Sequence, residues 1–414
     1  MLELLPMTAG FADLREAGKG LLSLALLDAR NHTLRWTAIY EQWLGPMNFA
    51  VPPAAEVTPP LWLLGHVGWY QERWIPRNVQ RHRGEAADPA VPRLASIEPN
   101  SDRWYDPANA PPDSRWLLDL PSVLSTKRYL LDTLEIAMDL LELIEGDDAN
   151  LYFYRLALFR EDLVAERLAQ MAQTLGLPHP YLPSIRLRPE CAERDPVLFG
   201  ATRWVLGSAN GPALGGFAFD NEKAAHEIDI PSFEIDAQPV SWAQYAEFVE
   251  DGGYDEPSWW TPAGWVWKER EHRRAPRYVD KMRHGVLQRK FGRSVSVDMS
   301  HPVEHVCLYE AQAWCRWAGR RLPTEAEWEM AASTGGKTGF QWGEVWEWTS
   351  SAFEPYPGFV LGPDRDYSRP AFGSHQVLKG ASVATCERLK HAKFRNFQLP
   401  HQDQMFCGFR SCAM

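Results

Sequence analysis

The sequence predicts an α+β protein in two parts: an N-terminal bundle of four helices, then a mixed α+β domain of short strands with few helices. Three observations predict it. Up to about residue 175, apolar residues recur every three or four positions, the period of helices with one buried face. The stretch GLPHPYLPSIRLRPE, with prolines at 178, 180, 183 and 189, then reads as an extended linker. After about residue 200 the chain turns rich in Gly, Trp and short β-like runs. Residues 1–176 are therefore expected to form the bundle, 177–200 the linker and 201–414 the mixed domain.

Taken in order, the first helical segment is MTAGFADLREAGKGLLSLALLDAR. The second, PPLWLLGHVGWYQERWIPR, opens on Pro59 and Pro60, which suit a first turn whose N–H groups lack partners anyway. A connection over roughly residues 78–121 follows, and its length suggests a functional loop. The third segment, SVLSTKRYLLDTLEIAMDLLELIEG, ends at Gly146, and the fourth opens at Asn150 with NLYFYRLALFREDLVAERLAQMAQTLGLP. In the fourth, Phe153, Ala157, Val164, Leu168, Met171 and Leu175 share one face, and Arg160 falls in the same series. A bundle is the most economical way to bury four such stripes. In the second part RWVLGS, GGFAFD and HEIDIPSFEID read as β-like. LYEAQAWCRWAG aligns Leu308, Ala311, Cys315 and Ala318 on one helix face and stops at Gly319. LPTEAEWEMAAS begins with a Thr324–Glu327 capping box.

At 414 residues the chain is too long for one ordinary core. A net charge of −11, from 43 basic and 54 acidic residues, argues against a nucleic-acid surface. Cys191, Cys307, Cys315, Cys386, Cys407 and Cys412 form no CxxC pair, which fits a reducing cytoplasm. The apolar run LLSLALL from Leu21 is too short to span a bilayer and lacks the order of a signal peptide, so no membrane association is expected. Nineteen tryptophans, many in the second half, are expected to fill a core with little regular structure.

The second half carries PVSWAQYAEFVEDGGY, HPVEHVCLYEAQAWCRWAGRRLPTEAEWE, WGEVWEWTSS, PYPGF, KGASVAT, FRNF and CGFRSC in order. Together these phrases resemble the domain shared by formylglycine-generating enzymes and ergothioneine-type sulfoxide synthases. LLGHVGWYQERW resembles the helix of a DinB-like bundle that carries the first iron-binding histidine of those synthases. SDRWYDPANAPPDSRWLLDLP and the short run from Ala331 to Trp342 most resemble the selenoneine-synthase branch. The resemblance implies a DinB-like four-helix bundle followed by a formylglycine-generating-enzyme-like (C-type-lectin-like) domain. It also implies Fe(II) held by three histidines, and O2-dependent joining of a thiol or selenol donor to the imidazole of Nα-trimethylhistidine, a betaine. Imidazoles suit iron(II), and open coordination positions admit O2 and the chalcogen.

The family's second and third histidines lie four residues apart on the last bundle helix, in a phrase like His-Glu-x-x-His-x-Glu. On LFREDLVAERL, Glu161 and Glu166 match its glutamates, while Arg160 and Val164 fall on its histidines. His66 is the only ligand retained. Arginine has no lone pair to give at neutral pH and valine has none at all. The family's active-site tyrosine falls on Asp364, three residues before Tyr367, so no catalytic residue is assigned.

His66 reads either as a core histidine or as the ancestral ligand. Arg160 either snorkels to solvent or puts a guanidinium in the vacated iron position, paired by Glu72, Glu161 or a bound carboxylate. Glu161, Asp162 and Glu166 read as solvated helix faces, with a rebuilt site of His66 and one carboxylate as the rival. Arg395 and Asn396 are structural hydrogen bonders or, by resemblance, Asn396 and Phe397 lie at the trimethylhistidine pocket. Trp69, Tyr70, Trp346 and Tyr367 are core residues or an aromatic wall for the ammonium group. Arg115 anchors the donor or makes a surface salt bridge. Three functions follow: an oxygenase with a rebuilt metal site, a metal-free pseudoenzyme that binds a betaine-like molecule, and a structural partner of an active paralogue.

Overall fold

A computed structural model of the chain describes residues 14–180, 194–209, 216–283, 285–337 and 339–414. The first part is helical: α1 (Lys19–Leu44), α2 (Pro60–Trp74), the short α3 (Ser101–Tyr105), α4 (Val123–Leu143) and α5 (Asp148–Leu175). The four long helices pack on one another, α1 on α4 and α5, α2 on α4 and α5. Among the described residues no helix is long and apolar enough to cross a membrane.

Local chemistry sets the helix ends. Pro60 is the first residue of α2. Ser122 and Asp147 cap α4 and α5 by accepting from the N–H groups of Ser125 and Asn150, and Gly176 ends α5 at φ 69°. The first helix differs most from expectation. Of the segment expected from Met7, residues 7–13 lie outside the described residues. Residues 14–18 are not helical, and α1 continues to Leu44.

On α5 four residues of the expected stripe, Phe153, Ala157, Leu168 and Met171, are buried, while Val164 and Leu175 are half-buried. Its acidic residues are inside as well, which corrects the reading of them as solvated. Glu161 accepts from Arg30 Nε (2.8 Å), Arg30 Nη2 (3.1 Å) and Thr33 Oγ1 (2.8 Å) on α1. Arg30 Nη2 also donates to Gln71 of α2, at 2.9 Å, so one buried ion pair ties three helices together.

The second part holds β1 (Val197–Phe199), β2 (Thr202–Leu206), β3 (His226–Ile230) and β4 (Phe233–Ile235), then α6 (Trp242–Glu250) and α7 (Pro262–Arg270). It continues through β5 (Val279–Lys281), β6 (Leu287–Lys290), β7 (Arg293–Ser296), α8 (Leu308–Trp317) and α9 (Glu325–Thr334). It ends with β8 (Trp346–Ala352), β9 (Gln376–Gly380), β10 (Asn396–Gln398) and β11 (Cys407–Gly408). The largest sheet has the order β10-β9-β8-β11, antiparallel except for the parallel β11–β8 pair. β1 pairs with β4, so residues 197–199 belong to this domain rather than to the linker.

Residues 217–219 of GGFAFD form no strand. The capping box expected at Thr324–Glu327 is present. Trp242, Trp328, Trp346 and Trp348 are among the largest fully buried side chains, as expected of a core short of regular structure. The five described cysteines are free thiols; Cys191 lies outside the described residues.

Candidate functional site between the two halves

His66 sits on the inward face of α2. Its ring stacks on Trp62 (4.9 Å between centroids, 13° between planes) and on Trp69 (5.3 Å, 28°), its neighbours one turn away on the same helix. Nδ1 lies 2.9 Å from the carbonyl of Tyr105 at the end of α3. A carbonyl only accepts, so Nδ1 carries the proton and Nε2 keeps its lone pair. Gly65 makes this approach possible, because a Cβ there would lie 2.2 Å from the Tyr105 ring. Burial lowers the His66 pKa to about 3, with Arg160 and Arg115 adding to the effect against the Tyr105 bond.

Arg160 and Val164, one turn apart on α5, meet His66, Val67 and Tyr70 around a void of ≈ 10 Å³, about the room of one water molecule. The Arg160 guanidinium lies over the rings of Tyr70 (5.2 Å) and Tyr367 (4.7 Å). Its Nε is 3.5 Å from Asp364 Oδ2. That same oxygen accepts the Tyr70 hydroxyl at 2.6 Å. Burial works against the arginine's charge, but Asp364, then Tyr70 and Tyr367, hold its pKa above the ordinary value.

Of the protein partners expected for Arg160, Glu72 and Glu161 are both committed elsewhere, and the structure gives it Asp364 instead. Glu72 accepts from Ser96 Oγ (2.7 Å), Ile97 N (2.7 Å) and Tyr129 OH (2.6 Å), and so pins the 78–121 connection to the bundle. Glu161 is committed to Arg30. Asp364 was marked in the sequence only as a missing tyrosine. The signal that could have found the pair is that the two departures carry opposite charges.

Above the pair lies a crevice of ≈ 310 Å³, lined by His66, Trp69, Tyr70, Arg73, Arg160 and Asp364 among others. Trp69 is fixed by donation to Asp102 at 2.7 Å, and Arg73 lies 5.1 Å over its ring. Tyr367, Asn396 and Phe397 do not line this crevice: Tyr367 lies behind Arg160, and Phe397 packs on Tyr367 at 5.6 Å. Asn396, at the start of β10, accepts from the Phe397 N–H at 2.9 Å.

Other expected site residues lie elsewhere. Arg395 is 1% exposed, holds Glu325 through Nε (2.8 Å) and Nη2 (3.2 Å), and stacks on Tyr356 at 3.9 Å. It is a structural bonder rather than a substrate group. Trp346 is fully buried and its Nε1 donates to Glu166 at 2.6 Å, so it is core and not pocket wall. Among the described residues Arg115 makes neither a surface salt bridge nor a contact in the crevice. It lies 3.7 Å over Trp62, behind the His66 stack, and donates to Ala110 O at 3.0 Å.

The remaining acids of α5 bind the two halves together. Asp162 takes a two-point contact from Arg388, 2.7 Å on each side. Glu166 Oε1 accepts from Trp346, Ser382 (2.8 Å) and Thr385 (3.1 Å), and burial raises its pKa despite those donors. Both oxygens of Asp162 are committed to Arg388, whereas Glu166 Oε2 is buried without a partner among the described residues. Among the described residues no group of three or more His, Cys, Asp or Glu side chains is placed to hold a metal.

The comparisons with known proteins agree with this two-part architecture. The model of the sulfatase-modifying factor enzyme 1-like domain matches residues 201–344 and 341–413. The hercynine oxygenase of Mycolicibacterium thermoresistibile is 30% identical, over 94% of this chain and 94% of its own. The chain belongs to the hercynine oxygenase family. The hercynine oxygenase of Mycolicibacterium smegmatis is also 30% identical, over 86% of this chain and 90% of its own. The formylglycine-generating enzyme of Streptomyces coelicolor is 28% identical and matches only 56% of this chain but 94% of its own, as expected if the helical half is the family's addition.

Proposed function

We propose that this member of the hercynine oxygenase family binds a trimethylhistidine-like betaine in the crevice at His66 and has given up the iron-dependent joining step. The observation that carries the reading is the Arg160–Asp364 pair. Family resemblance puts a histidine ligand at the first position and the active-site tyrosine at the second. The residues here do not fit three-histidine iron: Arg160 brings a cation where a cation would bind, and Val164 brings no donor atom. One imidazole, His66, is too few ligands for a stable site. No redox step is assigned to the chain. Within the family we place it on the selenoneine-synthase branch, on the strength of the phrase from Ser101, whose Tyr105 holds His66.

A zwitterion complements what remains. The carboxylate of trimethylhistidine suits Arg160 and Arg73, and its quaternary ammonium suits Asp364 with the faces of Trp69 and Tyr70. By family resemblance Asn396 and Phe397 belong to the same pocket, on the far side of Tyr367. Cation–π and charge-assisted contacts are each worth roughly 1–3 kcal/mol, so single losses are measurable. Calorimetric titration of trimethylhistidine and of plain histidine tests the reading. Trimethylhistidine should bind more tightly, and both Asp364→Asn and Asn396→Ala should weaken it. Equally weak binding of both compounds, unchanged by either substitution, would remove the betaine pocket and favour a structural partner instead.

A further inference from the structure

A second and larger cavity, ≈ 620 Å³, lies between the two halves and shares no lining residue with the His66 crevice. Its volume is in the range of small-molecule sites. Its walls come from the approach to α1, from residues 83–86, from the first turns of α5 and from loops of the second domain. Tyr152 separates it from a small void behind Asp364 and Tyr367.

The charge of the lining is unusual for this chain. Arg15, Arg83, Arg155, Lys223 and Lys393 face only Glu16, Glu85 and Asp148, in a protein of net charge −11. Three of the cations are matched. Lys223 holds both oxygens of Glu85 (2.9 and 2.8 Å), Arg155 holds Asp148 (2.7 Å), and Arg15 holds the buried Glu222 (2.5 and 3.1 Å). Two are not. Lys393 Nζ donates to the carbonyl of Gly207 at 2.7 Å, and Arg83 reaches only Gln80 Oε1 at 3.4 Å. Among the described residues neither has a carboxylate partner. His391, also in the wall, adds no charge near neutral pH, because burial and then Arg15, Lys379 and Lys393 lower its pKa to about 2. The rest of the lining is apolar, with Phe217, Val360 and Leu361 prominent.

We propose that this cavity binds a small organic anion, with a phosphate or carboxylate group drawn to Lys393 and Arg83 and an apolar body against Phe217, Val360 and Leu361. A cation set into a partly closed cavity is screened less than one on the surface, so an anion gains more there than at an exposed lysine. The site is distinct from the betaine crevice, and its test does not depend on that reading.

Phenyl phosphate, benzoate and inorganic phosphate are the probes, titrated by calorimetry into the full chain. Phenyl phosphate or benzoate should bind more tightly than inorganic phosphate, and the better of the two identifies the anionic group. Lys393→Ala should weaken that probe about tenfold, and Arg83→Ala about threefold, as expected for loss of a charge-assisted bond and of a rim charge. Lys393→Gln, which removes the charge but keeps a polar side chain one bond shorter, should weaken it similarly if Lys393→Ala fails to fold. Arg203→Ala, an exposed arginine paired with Asp229, should change nothing. No binding by any probe up to about 10 mM, or binding that survives Lys393→Gln and Arg83→Ala unchanged, would overturn the proposal.

Discussion

At the scale of single residues, the proposed site is governed by the Arg160–Asp364 pair. Arg160 and Asp364 are 25% and 15% exposed at the side chain, between a surface pair and a buried one. A double-mutant cycle of Arg160→Ala and Asp364→Ala should therefore show a coupling of about 1–2 kcal/mol in urea unfolding. Additive effects would mean that the two groups do not sense each other. His66 supplies a pH test. Its pKa is lowered from 6.5 to about 3 in the native state. Between those values the unfolded chain binds a proton that the folded chain refuses. Stability from this group is thus lost as pH falls from about 6.5 towards 3, by up to about 1.4 kcal/mol per pH unit. His66→Gln removes the effect, so its stability–pH curve should be flatter than wild type in that window. Parallel curves would show that His66 takes up its proton normally in the folded protein.

At the scale of elements, α5 carries most of the account. Its stripe was legible in the sequence because helical period survives any single substitution, and Arg160 stood out against it. The partners of its acids were not legible. Arg30, Arg388 and Asp364 are remote in the chain, and nothing in a local pattern says which of them α5 will meet. Helix α6 was missed although Ser241 and Gln244 form a capping box, a signal of the same kind as the one recognised at Thr324. Two measurements test α5. Glu161→Ala leaves Arg30 buried without its countercharge and should cost about 3–5 kcal/mol in urea unfolding. A cost near zero would mean that Arg30 finds another partner. Arg160→His with Val164→His puts two imidazoles one turn apart beside His66. That variant should bind cobalt(II) or iron(II) more tightly than wild type. A folded double variant with no gain would show that these positions do not converge on His66.

At the scale of the whole molecule, the two halves are held by buried polar contacts: Asp162 with Arg388, Glu166 with Trp346, Ser382 and Thr385, Arg15 with Glu222, and Tyr70 with Asp364. Far-UV circular dichroism, dominated by the helices, and tryptophan fluorescence, weighted to the second domain, should therefore report one coincident thermal transition. Arg388→Ala should lower or split it, because Asp162 then stays buried without its partner. Two resolved transitions in the wild type would mean that the halves unfold independently. The two-part plan was legible because composition changes sharply near residue 200, whereas the contacts that join the halves, ion pairs and aromatic pairs such as Phe159 with Phe217 and Phe219, come from residues remote in the chain and follow no period. The central claim is that an internal ion pair has taken the place of a metal centre, and iron content tests it most directly. Protein prepared under reducing, iron-replete conditions should hold iron(II) at well below one equivalent per chain. Near-stoichiometric iron that disappears in His66→Ala would contradict the account and restore the chain to the iron-dependent chemistry of its family.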